Sequence, residues 1–250
     1  MEKHNSYHRA PSKFIVRNNT QEKTLYKGFY YGELYDKMFE KSRFNYINSH
    51  INYYNKSIID IGCNTGFFLF EALDNGATKA EGYEGSKAAF ELLNKYVKSS
   101  NYNISINNNY YSFNDKPEYV YDVAHLLNVV HHFGADYGET LSDKDLSDIK
   151  DNIISQINSM AYWSKHLVLQ MGFNLHGNLN KPIFNNGTKK EMIDFITAGT
   201  KQKWQIMNIG VARSDNGYIS YGELNDENIQ RDDKLGEFLN RPIFIMKSLI

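Results

Sequence analysis

The stretch S-I-I-D-I-G-C-N-T-G-F-F, residues 57–68, constrains this chain more than any other. It reads as a short apolar strand that ends in an acid and passes straight into a turn with two glycines. A continuous apolar run of this length suits a strand buried on both faces, the habit of parallel sheets covered by helices on either side. The same alternation then repeats along the chain. Phe67, Phe70, Ala72 and Leu73 fall on helical spacing, and Asn75-Gly76 is a helix stop. Residues 77–84 read as a second strand, and Ser86 is placed to cap a helix carrying Ala89, Phe90, Leu93 and Val97. Ile104 and Ile106 alternate as a third strand, residues 119–130 contain a fourth, and residues 166–171 read as a fifth.

Ser142-Asp143-Lys144-Asp145 resembles a capping box before a helical stripe of Leu146, Ile149, Ile153, Ile157 and Met160. Thr188-Lys189-Lys190-Glu191 is a second, clearer box that opens a helix with Met192, Phe195 and Ile196 inside. Residues 204–211, 218–221 and 242–246 read as strands without long helices between them, so an antiparallel edge is expected at the C-terminus. Repeated strand–helix units imply a parallel sheet with right-handed crossovers, whose ligands bind beyond the carboxyl ends of the strands. Residues 1–55 are polar and aromatic with weak periodicity, and the spacing from Phe29 to Tyr35 and from Met38 to Ile47 suggests one or two short helices. They are expected to form a cap, with residues 56–250 as the main domain and a substrate-side insert at about 173–187.

In such a sheet residues 62–66 form the turn after the first strand, where glycine lets a ligand approach the backbone. A dinucleotide site asks for G-x-G-x-x-G around a pyrophosphate. Here Gly62 and Gly66 stand in a G-x-x-x-G, and Asp60 precedes them. An acid beside that loop fits a pyrophosphate poorly and an ammonium group well. Glu84 ends the second strand, where a carboxylate can accept both hydroxyls of a ribose. An amino acid joined to a nucleoside with no phosphate between them is S-adenosyl-L-methionine, and that is the expected cofactor.

The order D-I-G-C-N-T-G, G-Y-E-G-S and Y-D-V-A-H-L-L-N-V-V-H-H-F resembles the class I S-adenosylmethionine-dependent methyltransferases, over roughly residues 58–172. The resemblance implies an α/β, Rossmann-like, mostly parallel seven-stranded sheet with helices on both faces, an antiparallel C-terminal edge and an N-terminal helical cap. It implies that Gly62, Asn64 and Gly66 line the methionine part, that Glu84 binds the ribose, and that Leu127 and Asn128 sit near the sulfonium. The loop after the third strand departs from the family's pattern, since an acid near the adenine amine is replaced by N-N-N-Y. Asn109 is assigned to that amine and Tyr110 to stacking on the ring. The segment L-Q-M-G-F-N-L-H-G-N with N-G-T-K-K-E-M resembles methyltransferases of bacterial capsule and surface-polysaccharide gene clusters.

Methyl transfer needs nucleophile, methyl and leaving sulfur in line, and a hydroxyl acceptor also needs a base. His131 and His132 follow the fourth strand at the mouth, and an imidazole of ordinary pKa ~6.5 suits that role. The bland reading is a loop histidine that satisfies backbone groups. Gln170, Asn174 and His176 follow the fifth strand and are candidate substrate contacts. Arg43, in the aromatic cap segment, is the candidate for a carboxylate or phosphate contact. Cys63 is expected to be a small packed residue, and without a dense His/Cys/Asp cluster no metal is expected.

The net charge of −1 carries no basic excess of the kind that phosphate neutralisation demands. The expected acceptor is therefore a small molecule, an oxygen of a sugar, nucleotide-linked or phosphate-bearing metabolite. A tRNA or other RNA methyltransferase and a non-catalytic module of the same fold are the alternatives, and G-x-x-x-G spacing disfavours a dehydrogenase. One cysteine, no leader-like apolar run near the start and no long apolar stretch suggest a cytoplasmic protein with no membrane partner. Monomer and homodimer both stay open.

Overall fold

Ile58 and Ile59 are adjacent, point to opposite faces of one strand, and are both buried. Only a sheet with a helical layer on each side provides for that. In the computed structural model, which describes residues 15–18, 21–26, 29–30, 39–114, 119–133, 145–216 and 218–250, such a sheet is the centre of the fold. Its elements follow in chain order. β1 (Ile15–Asn18), β2 (Gln21–Tyr26) and β3 (Phe29–Tyr30) come first, then α1 (Phe39–His50). β4 (Ser57–Ile61), α2 (Phe67–Asp74), β5 (Lys79–Tyr83), α3 (Lys87–Ser99) and β6 (Ile104–Asn107) form the first half of the sheet. β7 (Tyr121–Leu127), α4 (Leu146–Ser159), β8 (Ser164–Gln170) and α5 (Lys189–Thr200) form the second. β9 (Trp204–Asp215), β10 (Tyr218–Glu223), α6 (Gly236–Leu239) and β11 (Ile243–Ser248) complete the chain.

The strand order is β10-β9-β11-β8-β7-β4-β5-β6. β6, β5, β4, β7 and β8 are parallel neighbours, while β11 runs antiparallel to β8 and β9, and β10 antiparallel to β9. From β4 the chain proceeds to β5 and β6 on one side and returns to β7 and β8 on the other. The order therefore reverses between β4 and β7, and a crevice opens beyond their carboxyl ends.

Side-chain alternation assigns the two cores. Ile59, Ile61, Leu126, Leu167 and Leu169 join Ile153 and Ile157 of α4 and Met192 and Ile196 of α5 on one face. Ile58, Val123 and Val168 join Phe44 and Ile47 of α1, Leu69 and Ala72 of α2 and Leu93 of α3 on the other. Each aliphatic side chain buried this way stabilises the fold by about 1.5–3 kcal/mol before entropy is charged. Asp60 and His125 share register across β4 and β7 and have the parity of Ile58 and Val123, so they sit under α1 and α2.

Local signals agree with these elements. Asn75 caps the end of α2, and Gly76 follows with φ 94°. Ser86 Oγ accepts from the Ala89 amide, and Thr188 with Glu191 forms the reciprocal box at α5. At α4 the capping residue is Asp145, which accepts from the Asp148 amide at 2.9 Å; residues 142–144 lie outside the described residues. Leu146, placed on the buried stripe by spacing, is exposed in the first turn.

Two features differ from expectation. The sheet has eight strands rather than seven, because β9 is long enough to pair with β11 along its first half and fold back on β10 along its second. In the N-terminal segment Phe29–Tyr30 is a strand paired in register with Leu25 and Tyr26, although its spacing suggested a helix. Aromatic residues favour strands as readily as they fill helical faces. Residues 31–38 of the expected cap lie outside the described residues. α1, the helix of the segment expected to form a cap, is tied to β10 by Ser42 Oγ donating to the Ile219 carbonyl at 2.6 Å and to α2 by Lys41 pairing with the buried Glu71 at 2.9 Å.

Candidate functional site

The turn after β4 is built around two left-handed glycines, Gly62 with φ 72° and Gly66 with φ 83°. At Gly66 a Cβ would lie 2.6 Å from Leu93 Cδ1, so both conformation and packing exclude a side chain. The amides of Gly62 and Cys63 donate to the Tyr83 carbonyl at 2.9 and 3.0 Å, which joins the turn to the end of β5. Glu84 follows directly. Its Oε2 accepts from the Asn64 amide at 2.8 Å and its Oε1 from the Ser86 amide at 2.6 Å. Two backbone donors thus orient one carboxylate at the edge of the crevice, with Asn64 itself in the left-handed region at φ 51°. Cys63 is buried, and its sulfur lies where a Cβ on Gly82 would collide at 2.7 Å, as expected of a packed residue.

Asn109 and Tyr110 are both exposed beside this edge. The Tyr110 ring lies against Gly85, where an added Cβ would come within 2.2 Å of it. Asn108, which spacing did not single out, donates through Nδ2 to the Glu84 carbonyl at 2.9 Å, whereas Asn109 Nδ2 turns back to the Tyr110 carbonyl at 3.3 Å.

Asp60 is almost fully buried near the carboxyl end of β4. Burial and the Glu84 charge push its carboxyl well above the usual carboxylate range, while the Arg43 guanidinium acts in the opposite direction. Beneath it Tyr53 Oη and His125 Nε2 are hydrogen-bonded at 2.7 Å, and burial pushes His125 down to about 3, so the imidazole is neutral.

A second polar cluster occupies the carboxyl ends of β7 and β8. Gln170, expected to contact substrate, is fully buried, and its amide is committed internally. Its Oε1 accepts from Arg43 Nη1 at 3.0 Å and Asn128 Nδ2 at 3.1 Å, and its Nε2 donates to the Arg241 carbonyl at 3.0 Å. Asn128, left-handed at φ 63°, accepts at Oδ1 from Arg241 Nη1 at 2.7 Å. Glu237 pairs with Arg241 one helical turn later and also accepts the Phe173 amide at 3.1 Å. Gln170 is therefore the hub that orients Arg43, Asn128 and Arg241. Leu127, half-buried at the end of β7, packs on the α1–α2 side of the sheet.

The two histidines separate. His131 is buried, and its Nδ1 accepts from the Gly172 amide at 3.1 Å. With Nδ1 accepting, the proton of the neutral ring sits on Nε2, so in this arrangement His131 presents no lone pair toward an acceptor. His132 is half-buried, with its ring 4.4 Å from His131 and 6.2 Å from His176. His176 is itself left-handed at φ 54° in the insert, near the buried Asn174 that bridges to Pro182. Sequence reasoning thus placed His132 and His176 together without foreseeing the contact.

No family model matches the sequence. Among curated proteins, the chain is 30% identical over 93 residues to a tRNA U34 carboxymethyltransferase of Nautilia profundicola, 36% of this chain and 30% of that one. A protein of the same name from Campylobacter concisus is 30% identical over 95 residues, 36% of this chain and 31% of that one. The matches therefore span less than a third of these relatives' length. Among solved structures, a proposed S-adenosylmethionine-dependent methyltransferase of Listeria monocytogenes superposes with a TM-score of 0.53 at 12% identity, over 84% of this chain and 97% of that one. The N-methyltransferase NodS of Bradyrhizobium japonicum, solved with S-adenosylhomocysteine, does so at 0.51 and 10% identity, over 87% and 91%. Strand order, the switch between β4 and β7 and these superpositions agree: the chain has the Rossmann-like fold of the class I S-adenosylmethionine-dependent methyltransferases.

Proposed function

We propose that the chain is an S-adenosyl-L-methionine-dependent methyltransferase and that its acceptor is RNA. One observation carries the donor half: the Glu84 carboxylate, with each oxygen oriented by a backbone amide, stands beside the turn that follows β4. That arrangement matches a ribose whose two hydroxyls donate to one carboxylate, next to a ligand part that touches backbone. Asp60, at the other side of the turn, suits the amino-acid ammonium. Tyr110, against Gly85, suits one face of the adenine, and Asn109 is left to its amine.

When bound, the donor supplies an electrophilic methyl carbon on a positively charged sulfur. The residues of this chain then align and shield. A bound donor would pass this methyl to the acceptor's nucleophile, its sulfur keeping the electron pair of the broken carbon–sulfur bond. Leu127 and Asn128 border the place where this happens, and Gln170 and Arg241 fix the Asn128 amide. His132 is positioned to take the proton that a hydroxyl acceptor loses. His176 in the insert, and Asn174 at its base, face the acceptor's side of the crevice.

The relatives named as tRNA modifiers support the RNA reading over the small-molecule acceptor inferred from net charge. A near-zero total says nothing about where the 28 basic residues lie, so it does not oppose RNA by itself. The capsule-cluster type finds no support in these relatives.

Thermal unfolding with S-adenosylhomocysteine tests the donor half. A ligand at ~100 times its Kd stabilises the folded state by about 2.7 kcal/mol, a shift of a few degrees. The shift is expected in wild type and lost in Glu84→Ala; a shift of equal size in both rejects the site. Incubation of bulk tRNA with methyl-labelled donor tests the acceptor half. Label in protein-free RNA supports it, and its absence from an enzyme that binds donor sinks the RNA reading alone. A parallel incubation with a donor carrying carboxymethyl in place of methyl on its sulfur separates the two transfers by the mass added to the RNA.

A further inference from the structure

Arg43 is a cation in an unusual setting. It is 6% exposed, yet it makes no ion pair among the described residues, whereas its neighbour Arg241 is tied to Glu237. Buried guanidinium groups are normally matched by a carboxylate. The Arg43 guanidinium carbon lies over the rings of Phe68 and Phe238, 5.1 Å from each ring centre, so aromatic contact rather than a carboxylate accompanies its charge. Its Nη1 donates to Gln170 Oε1, and Nε has no partner. The buried Tyr221 hydroxyl, whose own proton has no acceptor within hydrogen-bond geometry, lies near the same Gln170 amide and the Arg43 charge.

The setting is the donor site. Arg43 bonds to the last residue of β8, stacks on the first turn of α2 and acts electrostatically on Asp60 near the end of β4. A guanidinium at the end of β8 and the first turn of α2, with the Asp60 carboxyl near the end of β4, matches the two ends of an α-amino acid. We propose that Arg43 receives the carboxylate of the donor's amino-acid part, with the Tyr221 hydroxyl beside it, while Asp60 faces the ammonium. This rests on the donor assigned above. It gives α1 a role in cofactor binding that packing on β10 alone does not.

A clamp that merely holds α1 in place makes a different prediction, because it serves every ligand of the pocket equally. The experiment is calorimetric titration of wild type, Arg43→Lys and Arg43→Gln with three ligands. These are S-adenosylhomocysteine, its carboxamide, and methylthioadenosine, which lacks the amino-acid part. A charge-assisted pair of this kind predicts that Arg43→Gln weakens S-adenosylhomocysteine roughly 10–100-fold. Methylthioadenosine should change by about twofold or less, and Arg43→Lys should recover part of the loss. Wild type should prefer the carboxylate over the carboxamide by a similar factor, and that preference should vanish in Arg43→Gln. Equal binding of acid and carboxamide by wild type overturns the proposal, even if no variant folds. So does an equal loss of S-adenosylhomocysteine and methylthioadenosine in a folded variant. If wild type binds none of the three, the donor assignment itself fails and takes this inference with it.

Discussion

Replacing Gln170 by leucine tests whether the buried amide holds the floor of the crevice together. The side chain is fully buried and makes three hydrogen bonds: from Arg43 Nη1, from Asn128 Nδ2 and to the Arg241 carbonyl. Leucine fills nearly the same volume, so little of the effect comes from a cavity. Each buried polar group left without its partner costs about 1–3 kcal/mol. Asn128 is half-buried and can turn toward water, so the sum is set by Arg43 and the Arg241 carbonyl, about 2–6 kcal/mol. For a chain of this length each kcal/mol moves Tm by roughly 2–4 °C, so a fall of about 4–24 °C is expected by calorimetry or circular dichroism. Gln170→Glu keeps the acceptor for both donors and loses only the donation to Arg241, so its loss should be under about 2 kcal/mol. A Gln170→Leu protein within about 1 kcal/mol of wild type by urea titration would refute the reasoning, because the network would then be dispensable.

His125 should impose an acid limit on stability. It is held neutral with a pKa near 3, against an ordinary 6.5 in the unfolded chain, so between these values the unfolded state binds the extra proton. Its stabilising contribution is complete above pH ~6.5 and is lost as pH falls toward 3, by about 1.4 kcal/mol per pH unit. The Tm difference between wild type and His125→Gln should shift in favour of the variant from pH 7 to 4.5, and a difference independent of pH would contradict this. At Gly66, alanine meets both a left-handed backbone, about 1–2 kcal/mol, and Leu93, about 1–3 kcal/mol, so Gly66→Ala should lose about 2–5 kcal/mol of stability by urea titration, and a loss under about 1 kcal/mol would contradict this. The histidines should separate in kinetics. His132→Ala should lower kcat ~10²–10⁴-fold for a hydroxyl acceptor. His131→Asn, whose Oδ1 can still accept from the Gly172 amide, should retain most turnover; the reverse ranking would make His131 the base.

The parallel half of the fold was legible because burial on two faces leaves a direct mark. Ile58-Ile59 and the run through β7 have no polar alternation, and turn residues such as Asn75-Gly76 and Ser86 punctuate them at the right places. The C-terminal edge was legible too: its three strands and the five parallel ones make the eight observed, and the count of seven came from the family resemblance. Nothing in the sequence of β9 announces that one strand serves two partners in succession. The first 30 residues were misread at Phe29–Tyr30 because aromatic spacing over so short a segment fits a helix and a strand alike.

The site was legible where one turn makes it and illegible where distant segments meet. Gly62, Asn64, Gly66 and Glu84 belong to two consecutive loops, and local chemistry suffices to name them. Arg43, Gln170 and Arg241 come from α1, the end of β8 and the entry to β11, and only the antiparallel insertion of β11 beside β8 brings the last two together. Gln170 was placed correctly, at the end of a parallel strand, but that position does not say whether an amide faces ligand or neighbour. Two buried arginines decide it by claiming Oε1 and by presenting a carbonyl to Nε2. Glu237 and Arg241, spaced i to i+4 before Pro242, carried a helical ion-pair signal that spacing alone reads as a surface pair. Burial alters that reading. With Arg241 neutralised by Glu237, the cluster is left with the charge of Arg43, which makes no ion pair among the described residues.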